Sequence, residues 1–368
     1  MPVLMASSGL IEALKMDSLN YQVYTELSDI VSIASEWDSL LEHSPCNRAF
    51  SSSKWFIETC RIHTSIAPHA VVARRGAAIA GILPLVLTDE GETAGFTNYL
   101  NDYSDIVAAQ DDYPATTGLL NHALSAPGGY RRIVFSNVRR DSNCLRALQA
   151  LESDRAIDQS YRETLSCYYV RLPASHDEYL RTKGSRFRKR LKRLRCLAER
   201  SNLAVRELEP ENFPPERLSE VFLSLHLSRQ KGKSCFEQPT TQTFVDEVIP
   251  DLFIKRAVRA CALAEGERIV GIDLYTMGDN SLCAWNGGFL REAEHCSPGK
   301  LLINAGIMLA CALGLKEYDF MRGSEDYKAG WANNSRSIGQ LEFTVEVLGE
   351  PADDLNDIHM RPRQDGRP

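Results

Sequence analysis

Two clusters in the last third of the chain carry residue types that do chemistry. The first is Ser297-Pro298-Gly299-Lys300, directly before the apolar run LLINAGIMLACALG. Serine is a favoured helix N-cap, and proline suits the first helical position because its missing N–H costs nothing there. Glycine lets a ligand approach the backbone. A helix starting here presents free N–H groups and the positive end of its dipole, which suits a phosphate or pyrophosphate. Lys300 adds a point charge. The plainer reading, that Ser-Pro-Gly only starts a helix, stands beside it. The second cluster is the strand EYDFMRG and the loop after it. Period-2 alternation sets Asp319 and Met321 on one face and Tyr318, Phe320 and Arg322 on the other. Gly323, Ser324, Glu325, Asp326, Tyr327 and Lys328 follow, with Trp331 beyond. An acid, a phenol and an amine thus gather just past a strand end, where ligand sites of α/β sheets form. A merely solvated loop is the alternative.

The elements around these clusters occur twice. AVVARRGAAIAGILPLVL and ACALAEGERIVGIDLYTMG both read as β-hairpins, the first turned at Arg74-Arg75-Gly76. A constant offset of 190 positions sets Ala70 on Ala260, Gly76 on Gly266, Ile79 on Ile269, Gly81 on Gly271 and Ile82 on Ile272. Each hairpin is followed by strand, helix and strand, ending in RRIVFSNV and KEYDFMRG. Duplication explains that order. The expected organisation is a loose lead-in over 1–18, one half over 19–170, a second over 171–350 and a flexible tail over 351–368. The class is α/β, with α+β mixed sheets. In the first half, YQVYTEL reads as a strand, SDIVSIASEWDSLLEHS as one helix and SSKWFIETC as another. In the second, RTKGSRFRKRLKRLRCLAERS carries Phe187, Leu191, Leu194 and Ala198 along one stripe of a basic helix. A helix after Pro214-Pro215 contains His226, a further base candidate. The strand CAWNGGFL holds Asn286, Gly287 and Gly288. Asp273 stands in an otherwise apolar strand and needs a partner if buried.

Bulk properties bound the function. A chain of 368 residues fits two domains, and a formal charge of -7 excludes nucleic-acid binding driven by the whole molecule. No apolar run is long enough to span a membrane, and the N-terminus lacks a basic segment before an apolar core, so a cytoplasmic protein is expected. The ten cysteines include no CxxC pair, which predicts reduced thiols and no metal site.

YDFMRGSEDYKAGWA resembles the DF-x-x-G-x-x-x-YK-x-x-W signature of the CelD/BcsL-type acetyltransferases, a GNAT-fold family. CSPGKLLI resembles the family's SPG helix start, and GSRFRKRLKRLRCL its basic helix. EWDSLLEHSPCNRAFSSSKW, AGILPLVL and NDYSD are also similar to it, so the resemblance runs over about residues 20–345. The family is close in design to the Fem aminoacyl ligases, which also pair two GNAT halves. The resemblance implies tandem GNAT-like halves and acyl transfer from acyl-CoA, acetyl-CoA above all, to an amine or hydroxyl of a small molecule or saccharide precursor. The implied donor site is Ser297, Pro298, Gly299 and Lys300, with an oxyanion donor on the backbone at Asn286, Gly287 or Gly288. Asp319 and Glu325 become base candidates with His226, Tyr327 an acid for the leaving thiolate, and Lys328 an anchor for phosphate or carboxylate. LSRQKGKSCFEQP, after His226, matches no known acceptor motif. LSAPGGYRRIVFSNV has neither the SPG start nor the acidic YK loop, so the first half is expected to have lost a donor site. Two alternatives remain open: a Fem-like ligase taking its aminoacyl group from tRNA, with the basic helix as RNA contact, and a non-catalytic GNAT-fold binding module. The basic helix also reads as a solvated face, or as a contact for an anionic acceptor or the CoA phosphates.

Overall fold

The first hairpin joins β2 (Ala67–Arg75) to β3 (Ala78–Thr88), and the second joins β9 (Val258–Glu265) to β10 (Arg268–Met277), in a computed structural model that describes residues 18–125, 128–152, 161–230 and 232–345. Both turn at two residues, with glycine first: Gly76 at φ +62° and Gly266 at φ +58°. A side chain there would be strained, which is why glycine recurs. Both also carry a β-bulge at the same place. Arg74 pairs with Ile79 and Ala73 with Gly81, just as Ala264 pairs with Ile269 and Leu263 with Gly271. The turn therefore starts at Gly76 and not at Arg74, because both arginines are already in the ladder.

The other strands are β1 (Leu19–Tyr24), β4 (Thr93–Phe96), β5 (Val107–Ala108), β6 (Arg132–Arg139), β7 (Arg162–Arg171), β8 (Ala204–Leu208), β11 (Ser281–Phe289), β12 (Glu317–Arg322) and β13 (Asn334–Thr344). Among the described residues they form one sheet in the order β1-β2-β3-β4-β6-β13-β7-β12-β11-β10-β9-β8, with β5 on β3. Read inward from the two edges, both halves are alike. Three antiparallel pairings lead to a parallel one, β4 with β6 and β11 with β12. The innermost strands are exchanged: β7, which follows the first half in the chain, pairs with β12, while β13 returns to pair with β6. β7 and β13 pair with each other and join the halves. The exchange repeats a second bulge. Asn137 on β6 and Met321 on β12 both sit at φ +58° beside these inner strands. The expected lead-in over 1–18 and tail over 351–368 lie outside the described residues, apart from Ser18.

The first half carries helices α1 (Leu27–Ser32), α2 (Ala34–Leu41), α3 (Ser53–Ile62), α4 (Tyr113–Ala123) and α5 (Asn143–Glu152). The single helix expected over 28–44 is two, broken at Ile33. The second half carries α6 (His176–Thr182), α7 (Ser185–Arg200), α8 (Pro215–Gln230), α9 (Pro239–Ile254), α10 (Pro298–Ala312) and α11 (Asp326–Trp331). The last of these replaces the expected loop. The basic helix α7 buries Leu191, Leu194 and Ala198 against the α10 face of the sheet, and its Phe187 lies edge-on to Trp331, 4.9 Å between ring centres. One core bridges the halves. Trp55 of α3 lies edge-on to Phe244 of α9 and Trp285 of β11, at 5.0 and 5.6 Å. Tyr99 Oη donates to Thr241 Oγ1 at 2.9 Å, and the Trp285 indole donates to the Leu100 carbonyl at 2.9 Å. Among the described residues no helix is long and apolar enough to cross a membrane.

Candidate active site

β11 and β12 pair over only three residues each, from Ser281 with Glu317 to Cys283 with Asp319. Beyond that they part. A bulge helps to open the gap: Leu274 pairs with Asn286 but Tyr275 with Ala284, which leaves Trp285 as the extra residue. A bulge of this kind disrupts the ladder and redirects the strand. Trp285 turns toward the first half and packs on Trp55. The gap opens a cleft of about 900 Å³ lined by Ala284–Phe289 of β11, Ser297–Lys300, Tyr318, Phe320 and Arg322 of β12, and Glu325, Tyr327 and Lys328.

The N-terminus of α10 faces this cleft. Ser297 stands at the N-cap position but adopts left-handed backbone, φ +53°, and its side chain caps nothing. The dipole end is therefore free for an anion. The matching helix of the first half, α4, is closed. Its N-cap Asp112 accepts from the Ala115 N–H and pairs with Arg75 at 3.0 Å, so a carboxylate already fills that end.

Two groups at the cleft floor have no hydrogen-bond partner among the described residues. Tyr318 is fully buried and its hydroxyl is unbonded. Asp273 of β10 lies opposite Gly287, and among the described residues nothing hydrogen-bonds its carboxyl. Burial pushes that carboxyl up to about 8, so it is a neutral acid at pH 7. Gly287 is a glycine for Asp273's sake: an added Cβ would lie 2.0 Å from Asp273 Oδ1.

Gly288 faces the other way, where an added Cβ would meet the backbone of Leu225 and His226 at 2.4 Å. The contact brings α8 onto β11 and aims His226 into the cleft. His226 Nδ1 lies 3.0 Å from the Gly287 carbonyl, and Nε2 lies 2.9 Å from Ser234 Oγ. A carbonyl only accepts, so Nδ1 holds the proton and Nε2 accepts from Ser234. Burial holds the ring below the usual histidine value of 6.5, hence neutral. Gly288→Ala should lower the melting temperature by several degrees, because backbone rather than a flexible side chain must give way. A thermal melt of the variant checks this.

α11 presents Tyr327. Its carbonyl end is held by Lys183, whose amino group donates to the carbonyls of Trp331 and Ala332, and by Tyr179 Oη, which donates to the Trp331 carbonyl at 2.8 Å. Tyr327 is half-exposed; partial desolvation, with the nearby Glu325 and Asp273 carboxyls, raises its phenol to about 12, so it keeps its proton at neutral pH. Lys328 is buried; its amino group donates to the Arg322 carbonyl at 2.5 Å and pairs with Glu325 at 2.9 Å. It ties α11 to the end of β12 and is not free to clamp a ligand. Glu325 faces the cleft, but Lys328 holds its carboxyl below the usual range.

Asp319 is the one proposed site residue absent from this cleft. The alternation that sets it opposite Tyr318 and Phe320 turns it toward the first half, where it is fully buried. It accepts from Tyr103 Oη at 2.9 Å and from the Met321 N–H at 2.7 Å. Its task is to hold the left-handed bulge at Met321 and the seam between halves. Asp273 and Ser234 are the groups the short motifs did not single out as a site. A charged residue inside an apolar strand was the available signal for the first, whereas Ser234 meets His226 only through the fold.

Residues 185–329 match the family model of the acetyltransferase (GNAT) domain, so the chain carries an acyltransferase domain of that type. No curated protein matches the chain. Among solved structures it is similar in fold to FemX, with TM-score 0.58 at 13% identity over 85% of this chain and 96% of that one. It is also similar to L-PGS from Bacillus licheniformis, with TM-score 0.55 at 11% identity over 84% and 91% of the two chains.

Proposed function

We propose that this protein moves an acyl group from acyl-CoA, acetyl-CoA in the first instance, to an amine or hydroxyl of a small molecule or saccharide precursor. The observation that carries this reading is the parting of β11 and β12 beside the uncapped start of α10. A long thiol-bearing donor threads such a gap with its pyrophosphate on the amides at Gly299 and Lys300. Its thioester then reaches Asn286–Gly288. The neutral carboxyl of Asp273 and a backbone N–H of β11 donate to the carbonyl oxygen as negative charge develops there. His226 stands on the opposite side of β11 as the base for the acceptor, and Tyr327 protonates the departing thiolate. The first half contributes no donor site in this scheme. Its Asp102 pairs with Arg322 at 2.5 Å and walls the acceptor side.

CoA titrated into labelled protein should shift the amides of Gly299 and Lys300, and acetyl-CoA with a panel of amines and amino sugars should release thiol. Unmoved amides would remove the donor site. One observation favours a second reading, the Fem-like use of aminoacyl-tRNA. No carboxylate among the described residues pairs with Arg186, Lys189, Arg190 or Arg193 of α7, and Arg190 is close enough to Lys300 to lower its pKa. A steep salt dependence of tRNA binding would support it over acyl-CoA.

A further inference from the structure

His226 faces the acceptor side, yet neither of its ring nitrogens is open to a substrate. Nδ1 is spent on the Gly287 carbonyl and Nε2 on the Ser234 hydroxyl, and the ring itself is buried between Phe222 and Phe236. Ser234 is half-buried and opens onto a chamber of about 410 Å³ that shares Asp102, His226, Trp285, Asn286 and Arg322 with the donor cleft. The Phe236 N–H donates to Ser234 Oγ at 3.2 Å, which fixes the oxygen and leaves its proton directed at His226. A hydroxyl, a base within hydrogen-bond reach and a third group orienting the base form the arrangement by which proteins activate a hydroxyl.

Resting on the acyl-transfer reading above, we infer that Ser234 is the catalytic group that touches the acceptor, and that His226 acts through it. The acceptor's N–H or O–H proton passes to Ser234 Oγ as the serine's own proton passes to His226 Nε2. The freed lone pair forms the new bond to the thioester carbon. The C–S bond then breaks, and the thiolate takes the proton of Tyr327. The imidazolium is held by its Nδ1–H bond to Gly287 until it returns its proton to solvent, from which the Tyr327 phenolate regains one, so that both groups are restored. The other titratable groups lining the two cavities are Asp102 and Arg322, which pair with each other, Lys233 and Cys235 on the Ser234 side, and Asp273, Glu294, Lys300, Tyr318, Glu325, Tyr327 and Lys328 in the donor cleft.

Two experiments test this. The first uses no acyl donor. A fluorophosphonate should label Ser234, read as a peptide mass, and label it at least ~10-fold more slowly in His226→Gln. An unlabelled Ser234, or equal rates, overturns the dyad. The second measures thiol release from acetyl-CoA with hydroxylamine as acceptor. Ser234→Ala and His226→Gln should each lower kcat by about 10²–10⁴-fold with KM for acetyl-CoA unchanged. The double variant should be no slower than the slower single, because the pair acts as a unit. Ser234→Thr should restore most of the rate, and the acidic limb of the pH profile should vanish in Ser234→Ala. Multiplying effects, or full turnover in Ser234→Ala, overturn the relay. A labelled Ser234 in a protein that releases no thiol from any acyl-CoA would instead establish the activated serine and overturn the acyl-transfer reading.

Discussion

Replacing Asp273 with leucine is expected to slow thiol release by about 10²–10³-fold, the usual loss when one donor to a developing oxyanion is removed. Asparagine should behave differently. Its amide still donates, so turnover near pH 7 should fall far less than in the leucine variant. The wild-type rate should decline as pH rises through about 8, where the carboxyl ionises and stops donating, while Asp273→Asn holds its rate there. Stability should also fall as pH rises, over a lower range. The folded carboxyl binds its proton more tightly than the unfolded one, about 8 against 3.8. Its favourable contribution is therefore complete below 3.8 and is lost progressively as pH rises to 8. Asp273→Asn escapes that loss, so it should melt higher than wild type at pH 8 and no higher at pH 4. Rate–pH profiles and melts at both pH values check the pair. An alkaline limb that survives in Asp273→Asn would assign it to another group.

Tyr327→Phe is expected to lower kcat by about 10²–10⁴-fold, the range for a positioned acid. Phenylalanine keeps the ring that packs beside Phe320 at 6.5 Å, so donor binding and melting temperature should hardly change. The acid is needed only for the thiolate. An acyl donor whose leaving group is already stable as an anion, such as a nitrothiophenol ester, should therefore lose little rate in the variant. Steady-state kinetics with both donors separate a proton donor from a mere wall of the cleft. Equal losses with both donors would assign the tyrosine to positioning.

Much of the architecture was legible because it depends on local pattern. A glycine at a two-residue turn and a glycine directly after the bulged residue each leave a mark in the chain, and both recur at the 190 offset. The start of α10 at Pro298 was legible for the same reason, although the conformation of Ser297 was not: its capping side chain was inferred from residue type, and the left-handed backbone turns it away. Residues lining the cleft were legible mainly in short motifs, with His226 the one site candidate named singly. Tyr327 and Glu325 follow the strand that carries them. Asp319 was placed on the correct face of β12, but the face that lines the cleft depends on which helix covers it, and alternation does not encode that. Lys328 reads as a free cation in a string of polar residues, until α11 folds it back onto the Arg322 carbonyl. Ser234 and His226 meet across a turn of loop that no periodicity predicts.

The exchange of β7 and β13 has a consequence for inheritance. Had each half kept its own last strand, a lineage could have discarded the half whose helix α4 is already closed by Asp112. Here that discard is barred. Loss of the first half, with the β7 that ends it, would leave β12 as a bare edge beside the cleft, an invitation to aggregate, and would leave β13 without β6 to pair on. The first half is thus tied to the second by its hydrogen-bond ladder. Its strands are bound to the fate of the other half.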